Sequence, residues 1–216
     1  MDHTEHPPAA PHPGEFWDGF YSERENVWSG KPNAALVREM ELVAPGTALE
    51  LGCGEGADSI WLAQRGWTVT AVDVSSVALG RAAQHAAQAG VGNSITFARH
   101  DLAEWEPAGE YDLVAALFLH SPVDFPRERV LARAARTVAP GGTLLVVGHA
   151  SFPPWSQHAH DDAAPLPSAE EVAQGLGLPS HEWSVETREA EGRTARGPEG
   201  QTVVLTDTVL RARRAR

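Results

Sequence analysis

The segment LELGCGEGADSI, residues 49–60, contains three glycines at alternate positions, Gly52, Gly54 and Gly56, shortly after the acidic residue Glu50. Glycine lets a backbone turn tightly and approach a ligand closely. An apolar strand pattern precedes the loop and a helical pattern follows it, which is typical of sites for nucleotide-like molecules. The first chemical question is therefore which ligand of this kind the glycine loop holds.

The residues around the loop argue against two common phosphate ligands. A P-loop needs a lysine and then a serine or threonine after its last glycine, whereas Ala57 and Asp58 stand there. The dinucleotide fingerprint G-x-G-x-x-G fits poorly because the third glycine comes one position early. Glu50 and Glu55 also place negative charge where a pyrophosphate would lie. The loop favours a positively charged nucleoside without phosphates, and S-adenosylmethionine has these properties.

Two further acidic residues follow the next predicted strands. Asp73 lies near the end of the strand pattern TVTAVDV, about 20 positions after the loop, where a carboxylate accepts hydrogen bonds from a ribose. Asp101 follows the pattern SITFARH and is a polar partner for an adenine ring. Since an acid at the end of a buried strand has no packing role, we expect both side chains to contact the ligand.

Strand and helix patterns alternate through the centre of the chain. This alternation predicts a parallel sheet with helices on both faces, and its strands are TALEL, TVTAVDV, SITFARH, YDLVAALFLH and GGTLLVVGHA. The helix RERVLARAARTV is expected to continue until Pro140. Only a glycine-rich turn separates WSVETREAE from QTVVLTDTVLRAR, so these segments form a hairpin and one of them runs antiparallel.

The length of 216 residues suits one α/β domain with short extensions. We expect a disordered Pro/His-rich tail over residues 1–14, a helical lid segment over 15–44 and the main domain over 45–216. The N-terminus lacks the basic start and apolar core of a secretory signal. No apolar run approaches the roughly 20 residues that span a bilayer. We therefore expect a cytoplasmic protein with no membrane partner.

The net charge of −12 opposes binding to nucleic acid, because a phosphate backbone would be repelled. The basic end of the chain, RARRAR, is interpreted as the solvated end of the last strand. A single cysteine, Cys53, excludes an internal disulfide and a cysteine-based zinc cluster. We also expect no metal site, since the N-terminal histidines and the sequence HAHDD at 158–162 lack a rigid scaffold.

Five motifs, in order and spacing, resemble those of class I S-adenosylmethionine-dependent methyltransferases: ELGCGEG, VDVS, HDL, YDLVAALFLH and VAPGGTLLVV. Within that family, VWSGKPN and GADSIWLAQRG are most similar to the small-molecule branch that includes tellurite-resistance and thiopurine methyltransferases. The resemblance implies an α/β fold with a Rossmann-like, doubly wound, seven-stranded sheet. This sheet is mostly parallel, with one antiparallel strand of the C-terminal β-hairpin inserted between strands five and six.

The resemblance also implies S-adenosyl-L-methionine as the cofactor and a set of residues that bind it. The glycine loop would lie under the methionine part of the cofactor, and the acids at the strand ends would bind the ribose and adenine. Leu117 and Phe118 would lie beside the sulfonium. The set is Trp28, Glu50, Gly52, Cys53, Gly54, Asp73, Val74, Asp101, Leu102, Leu117 and Phe118. The apolar members would be apolar in any core, and Cys53 is interpreted as a small loop residue instead of a nucleophile.

The end of the fourth strand, FLHSPVDF, limits the acceptor. It lacks the Asn/Asp-Pro-Pro-aromatic turn of enzymes that methylate base amines and the cysteine of cytosine-C5 enzymes. His120 is predicted to orient or deprotonate the acceptor. The alternative is a histidine that caps the strand end through a backbone hydrogen bond. Tyr21, His149 and Trp155 are further candidates for contact with the substrate.

The expected reaction is transfer of a methyl group by in-line displacement to a small-molecule acceptor, namely a thiol, a chalcogen oxyanion or a metabolite hydroxyl. The alternative from another class is a non-catalytic S-adenosylmethionine-binding sensor or partner subunit. A nucleic-acid methyltransferase is the least favoured interpretation. The oligomeric state is left open by the sequence.

Overall fold

Seven strands lie side by side in the computed structural model, which describes residues 12–25, 27–151, 154, 166–197 and 199–216. In chain order they are β1 (Thr47–Leu51), β2 (Thr68–Asp73), β3 (Ile95–Arg99), β4 (Tyr111–Leu117), β5 (Val138–His149), β6 (Trp183–Arg196) and β7 (Thr202–Arg214). Their spatial order is β3-β2-β1-β4-β5-β7-β6. Strands β1 to β5 are parallel, and β7 runs antiparallel between β5 and β6. The predicted α/β fold with one reversed strand is confirmed.

Helices cover both faces of the sheet. They are α1 (Pro13–Ser22), α2 (Ala34–Met40), α3 (Ala57–Gln64), α4 (Ser76–Gln88), α5 (Arg127–Ala135) and α6 (Ala169–Leu176). One core cluster packs α2, α3 and α4 on the sheet, and a second packs α5 and α6 on the opposite face. Because both faces are covered, β4 is apolar from Leu113 to Leu117, and Glu50 is the one polar residue among the buried positions 48–51 of β1.

Helix starts follow the capping residues in the sequence. The Asn33 side chain accepts hydrogen bonds from the first turn of α2, and the Ser75 side chain does the same for α4. Ser168 and Glu171 form a reciprocal capping box at α6. None of the helices in the described part of the chain is long and apolar enough to cross a membrane.

Two element boundaries differ from the sequence prediction. Helix α5 ends at Ala135, and β5 already begins at Val138, so Pro140 lies within the strand and does not end the helix. The register shift between Tyr111 and Leu113 of β4 explains this, because an irregular pairing tolerates a residue without an N–H. Strand β4 ends at Leu117, so the following residues form a separate turn above the sheet.

The order of the strands places the site. Strand β1 pairs with β2 on one side and with β4 on the other, so the connections leave in opposite directions at this point. A crevice forms outside the carboxyl ends of strands at such a position, and ligands bind there. The glycine loop after β1, the acid that ends β2 and the turn after β4 all lie at this edge.

Candidate active site

The glycine loop between β1 and α3 has a backbone that only glycine adopts easily. Gly52, Gly54 and Gly56 have φ values of 71°, 52° and 85°. A Cβ atom at Gly52 would lie 2.7 Å from Leu119 Cδ1, and one at Gly54 would lie 2.9 Å from Tyr21 Oη. The loop is therefore enclosed by the turn after β4 on one side and by the N-terminal segment on the other.

Asp73 connects the loop to the next helix. Its Oδ2 accepts a hydrogen bond from the Gly54 N–H at 2.9 Å, and its Oδ1 accepts one from the Ser75 N–H at 2.9 Å. Burial raises the pKa of this carboxyl, although the backbone hydrogen bonds from Ser75 and Gly54 oppose the change. Each oxygen of a carboxylate accepts more than one hydrogen bond, so Asp73 retains acceptor capacity for a ribose hydroxyl.

Two more carboxyl groups lie beneath the loop. Glu50 is buried and accepts a hydrogen bond from the Ser59 hydroxyl, and Asp58 accepts one from the Asn33 N–H at 2.6 Å. Burial raises the pKa of Glu50 well above its ordinary value, and the charges of Asp58 and Asp73 raise it further. Burial likewise raises the pKa of Asp58 to about 6. Within the described residues, neither Glu50 nor Asp73 forms an ion pair with a lysine or arginine.

A cationic ligand at this loop should therefore bind more tightly as the pH rises from 5 to 7. Asp58, with a pKa raised to about 6, is largely protonated at pH 5, the pKa values of Glu50 and Asp73 are also raised, and a nearby cation favours the ionised forms of all three. We expect higher affinity for S-adenosylmethionine at pH 7 and release of protons on binding. Calorimetry at both pH values, in two buffers of different ionisation enthalpy, measures both quantities. Equal affinity without proton release would contradict this assignment, and Glu50→Gln should reduce the pH dependence.

Glu55 does not act as the sequence argument assumed. Its Oε1 pairs with Arg81 Nη1 at 2.9 Å, and its Oε2 accepts hydrogen bonds from the N–H groups of Val27 and Trp28. Glu55 therefore holds the N-terminal segment on the loop and does not present an unpaired charge to a ligand. The negative charge that disfavours a pyrophosphate therefore comes from Glu50 and Asp73, and Glu55 does not contribute to it.

The N-terminal segment covers Gly54 with two aromatic side chains. Tyr21 is buried, and its hydroxyl accepts a hydrogen bond from Trp28 Nε1 at 3.0 Å. Arg81 Nη2 also donates to the Tyr21 carbonyl at 2.9 Å. Trp28 remains 55% exposed, so one part of this ring faces outward from the loop. These contacts place Tyr21 and Trp28 beside the glycine loop.

Asp18 joins α1 to the start of α4, a contact that the sequence analysis missed. It accepts hydrogen bonds from the hydroxyls of Ser75 at 2.7 Å and Ser76 at 3.0 Å, and from the Val77 N–H at 3.2 Å. Burial raises the pKa of Asp18, but these hydrogen bonds and the charge of Arg99 outweigh burial and hold that pKa below its ordinary value. An acid on a short amphipathic helix gives no sequence signal for such a distant partner.

We expect Asp18→Ala to lower the free energy of unfolding by about 1–2 kcal/mol at neutral pH, because the first turn of α4 loses a charged acceptor. The effect should disappear as the pH falls through the lowered pKa of Asp18, since the protonated side chain is a weaker acceptor. Urea denaturation at a series of pH values from 7 downward, over the range in which the wild-type protein stays folded, follows the difference between the two proteins. Glu23→Ala, at an exposed position after the same helix, is the matched control. A loss of the same size in both variants would argue against the contact.

The residues predicted near adenine lie at the adjacent strand ends. The Asp73 carbonyl accepts a hydrogen bond from the His100 N–H at 3.1 Å, which brings the ends of β2 and β3 together. Asp101 is half-buried, and its Oδ1 accepts a hydrogen bond from the Ala103 N–H at 2.9 Å. Leu102 is buried and Val74 is half-buried. One carboxylate oxygen of Asp101 thus accepts a hydrogen bond within a local turn, and no described residue donates to the other.

The turn after β4 places His120 against β5. The backbone of Phe118 has a φ of 53°, which residues other than glycine seldom adopt. His120 Nε2 accepts a hydrogen bond from the backbone N–H of His149 at 3.3 Å. Burial, then the charges of Arg127 and His149, lowers the pKa of His120 to about 4. This geometry is that of the backbone-capping alternative, and a catalytic role for His120 stays a prediction.

His149 lies on the same rim, between two strands. Its ring stacks on Phe118 with 4.3 Å between the centroids, and its Nδ1 lies 3.3 Å from Asp207 Oδ1. Asp207 Oδ2 also pairs with Arg193 Nε. Asp207 and Arg193 were missed because they belong to the C-terminal hairpin, and only the pairing of β5 with β7 brings them to this rim.

Three further predicted residues complete the description. Leu117 is buried at the end of β4. Cys53 is buried in the loop, and burial followed by the charges of Glu50 and Asp73 raises the pKa of its thiol well above the ordinary value. A thiol in this environment is a poor nucleophile, because the thiolate is disfavoured. Trp155 and the HAHDD sequence lie outside the described residues.

Comparison with known proteins places the chain in a family. The profile of the family described as Methyltransferase domain matches residues 48–142. The trans-aconitate 2-methyltransferase of Streptomyces avermitilis is 30% identical over 191 residues, which cover 77% of this chain and 71% of the relative. The chain belongs to the class I S-adenosylmethionine-dependent methyltransferases. The resemblance inferred from its motifs is confirmed.

Two other relatives of this methyltransferase share less of their length with it. The 2-heptyl-1-hydroxyquinolin-4(1H)-one methyltransferase of Mycobacteroides abscessus is 32% identical over 148 residues, covering 64% of this chain and 63% of the relative. The ribosomal RNA small subunit methyltransferase C of Alcanivorax borkumensis is 31% identical over 156 residues, covering 67% of this chain and 43% of the relative. The match with both thus spans less than two thirds of the relative, and their names cover more than one class of acceptor.

Solved structures share the whole fold. One comes from work on the conversion of a disulfide bond into a thioacetal group during echinomycin biosynthesis; it has a TM-score of 0.70 and 25% identity and covers 94% of this chain and 93% of its own. The N-methyltransferase NodS of Bradyrhizobium japonicum WM9, in complex with S-adenosylhomocysteine, has a TM-score of 0.67 and 19% identity, covering 95% of this chain and 100% of its own. At 19% identity, the similarity to NodS shows a shared fold and no shared activity.

The site of this methyltransferase fits the cofactor of its family. Glycines at positive φ keep Cβ atoms away from the crevice, so a ligand can approach the backbone closely. Buried Glu50 and Asp73 lack a cationic partner among the described residues, and a ligand with sulfonium and ammonium groups supplies one. Asp73 also has acceptor capacity for a ribose. Both the charge and the hydrogen-bonding capacity of the site therefore suit S-adenosylmethionine.

Proposed function

We propose that this protein transfers a methyl group from S-adenosylmethionine to a small-molecule nucleophile by in-line displacement. The observation that carries the proposal is that the two buried carboxyl groups of the glycine loop and the His149 side chain lie at the same edge of the sheet. Glu50 and Asp73 lie at the glycine loop with no cationic partner in the part of the chain that the structure describes, and His149 lies at the same edge, where β5 ends beside β4. A cationic cofactor at the loop would thus meet an acceptor held at the rim.

We infer the cofactor contacts from the family motifs and from the placement of the matching residues. The methionine part would lie over Gly52, Cys53 and Gly54, with Glu50 near its amino group, and Asp73 would accept hydrogen bonds from the ribose. The remaining contacts would be made to adenine and the sulfonium by Val74, Asp101, Leu102, Leu117 and Phe118. The hydrogen bond from Gly54 N–H to Asp73 supports this placement, because it fixes the ribose acceptor beside the loop.

The main requirement of methyl transfer is that the protein aligns the acceptor with the methyl group of the cofactor. S-adenosylmethionine supplies an activated methyl group when bound. The chain must place the acceptor in line with that group and exclude water, and such positioning lowers a barrier by about 7–11 kcal/mol. Trp28 and Tyr21 are suited to exclude water, because the segment that carries them is held on the loop by Glu55 and Arg81. Residues 15–44 would thus act as the lid.

Several observations support a small-molecule acceptor. Two relatives are named for methylating trans-aconitate and 2-heptyl-1-hydroxyquinolin-4(1H)-one, and both names describe small molecules. One relative acts on ribosomal RNA by its name, but the net charge of −12 disfavours a nucleic-acid partner for this chain. We therefore propose a thiol, a chalcogen oxyanion or a metabolite hydroxyl as the methylated group.

Turnover tests this function directly. The full chain is incubated with S-adenosylmethionine and a panel of thiols, tellurite, phenols and a transfer RNA, and S-adenosylhomocysteine is quantified. We expect product with at least one small molecule, none with RNA, and a large loss in Asp73→Ala. Binding of S-adenosylhomocysteine without turnover on any small molecule would favour the alternative of a non-catalytic sensor or partner subunit. Turnover on RNA alone would contradict the proposed acceptor class.

A further inference from the structure

His149 and Asp207 occupy opposite positions on two neighbouring strands. His149 ends β5, and the antiparallel register of β5 and β7 pairs it directly with Asp207. Side chains of directly opposite residues emerge on the same face of a sheet, so the two side chains meet. Nδ1 of His149 lies 3.3 Å from Asp207 Oδ1. The carboxylate is buried while the imidazole remains 29% exposed, so the pair opens toward the rim from the histidine side.

The hydrogen bond with Asp207 determines which nitrogen of His149 carries the proton. A carboxylate only accepts hydrogen bonds, so Nδ1 must donate and the neutral ring keeps its lone pair on Nε2. No hydrogen-bond partner for this Nε2 exists among the residues that the structure describes. His120 differs, because the His149 backbone N–H already occupies the lone pair of its Nε2. Of the two histidines, His149 has the nitrogen that is available to accept a proton.

His149 also lies beside the proposed position of the reacting groups. Its ring stacks on Phe118, the first residue after β4, at 4.3 Å and an angle of 21°. The next residue, Leu119, lies against the loop, since a Cβ at Gly52 would be 2.7 Å from Leu119 Cδ1. The imidazole is thus separated from the glycine loop only by the turn that the family motifs place beside the sulfonium.

We propose that His149 is the general base of the reaction and that Asp207 is its positioning residue. This inference rests on the proposed function and narrows its acceptor to a hydroxyl or thiol that carries a proton at neutral pH. An acceptor that is already an anion would need no base. A His–Asp pair contributes by holding the ring in one tautomer and one orientation while the proton is transferred.

The step balances without a further reactant. The acceptor proton moves to Nε2 of His149, and an electron pair of the acceptor oxygen or sulfur forms the bond to the methyl carbon. The bond from that carbon to the cofactor sulfur breaks, and its electron pair stays on the sulfur. His149 then releases the proton to water. Nothing is oxidised or reduced, and the Asp207 carboxylate stabilises the imidazolium during the transfer.

The tautomer of His149 tests the pair without any acceptor. Two-dimensional NMR of the full chain labelled with ¹⁵N-histidine, in mildly alkaline solution, separates Nδ1–H from Nε2–H rings, and His149→Gln identifies the signal by its loss. We expect His149 as the Nδ1–H tautomer in the wild-type protein and a mixture of tautomers in Asp207→Ala. A wild-type His149 that carries its proton on Nε2 would overturn the proposal, even if Asp207→Ala does not fold.

Acceptors of different acidity then test the catalytic role. We compare the thiols 4-nitrothiophenol, ionised at neutral pH, and benzyl mercaptan, which is protonated, and the phenols 2,4-dinitrophenol, ionised at neutral pH, and phenol, which is protonated. His149→Gln should lower kcat for the protonated members by about 10²–10⁴-fold and change it little for the ionised members. His181→Gln, at an 80% exposed side chain, is the matched control and should leave every rate unchanged.

An equal loss for ionised and protonated acceptors would overturn the role of His149 as a base, because a structural role does not depend on acceptor acidity. Wild-type methylation of ionised acceptors alone would overturn the narrowed acceptor class, as would no methylation of any of the four. Failure of the proposed function is distinguished by a separate measurement. In that case S-adenosylhomocysteine does not bind the wild-type chain, or it binds and no small molecule of the wider panel is methylated, whatever the tautomer of His149.

Discussion

Gly54→Val should abolish useful cofactor binding and should also destabilise the protein. Gly54 has a φ of 52°, and a Cβ there would lie 2.9 Å from Tyr21 Oη and 3.3 Å from Trp28 Nε1. A β-branched residue in this conformation costs about 1–3 kcal/mol in backbone strain. Overpacking against the buried Tyr21 adds about 1–3 kcal/mol. The loop is expected to relieve this strain by leaving the conformation that the ligand needs, and restoring it on binding costs about 2 kcal/mol, so calorimetry with S-adenosylhomocysteine should show affinity about 30-fold lower or more.

Gly80→Val is the matched control for that variant. Gly80 lies in α4, and a Cβ there would meet no atom within 4 Å. Replacing a helical glycine at an open position does not strain the backbone, so we expect unchanged affinity and unchanged or slightly higher stability. Similar losses in both glycine variants would show that the loop conformation is not what the ligand requires.

Asp73→Ala should weaken binding of S-adenosylhomocysteine by about 1–3 kcal/mol, roughly 5- to 150-fold, because a charged acceptor for the ribose is lost. The same change leaves the N–H groups of Gly54 and Ser75 without their acceptor, so the loop should also become less ordered. Calorimetry at neutral pH gives the affinity, and urea denaturation separates it from stability.

Asp112→Ala provides the comparison for Asp73. Asp112 is also an acid at a strand end and accepts hydrogen bonds from the Thr47 N–H and hydroxyl, but it lies at the start of β4, at the opposite edge of the sheet. We expect a change in stability there and none in affinity. Unchanged affinity in Asp73→Ala would show that the ribose is placed elsewhere.

The sheet could be predicted because its signals are local. TALEL forms β1 at the predicted residues, and Ser75 caps α4 three residues from the N–H that it accepts from, since apolar runs and capping side chains act within a few positions. The hairpin pattern at the end of the chain likewise predicted a reversed strand, and β7 has that direction. The family motifs predicted the cofactor as well as the fold, and comparison with relatives confirmed the family.

The partners of charged side chains could not be predicted, because they depend on distances between segments far apart in the sequence. Glu55 was interpreted as a free charge, yet Arg81 and the backbone of the lid segment surround it. Asp207 lies 58 positions from His149, and only the pairing of β5 with β7 joins them. A sequence gives the type of each titratable group, whereas its partner and its pKa follow from the folded geometry.

The central claim is that the glycine loop binds a cationic nucleoside without phosphates, and one calorimetric comparison tests it most directly. The full chain is titrated at neutral pH with S-adenosylmethionine, ATP and NAD. We expect saturable binding of S-adenosylmethionine at one site per chain and no detectable heat with ATP or NAD. Saturable binding of ATP or NAD, with no response to S-adenosylmethionine, would contradict the claim.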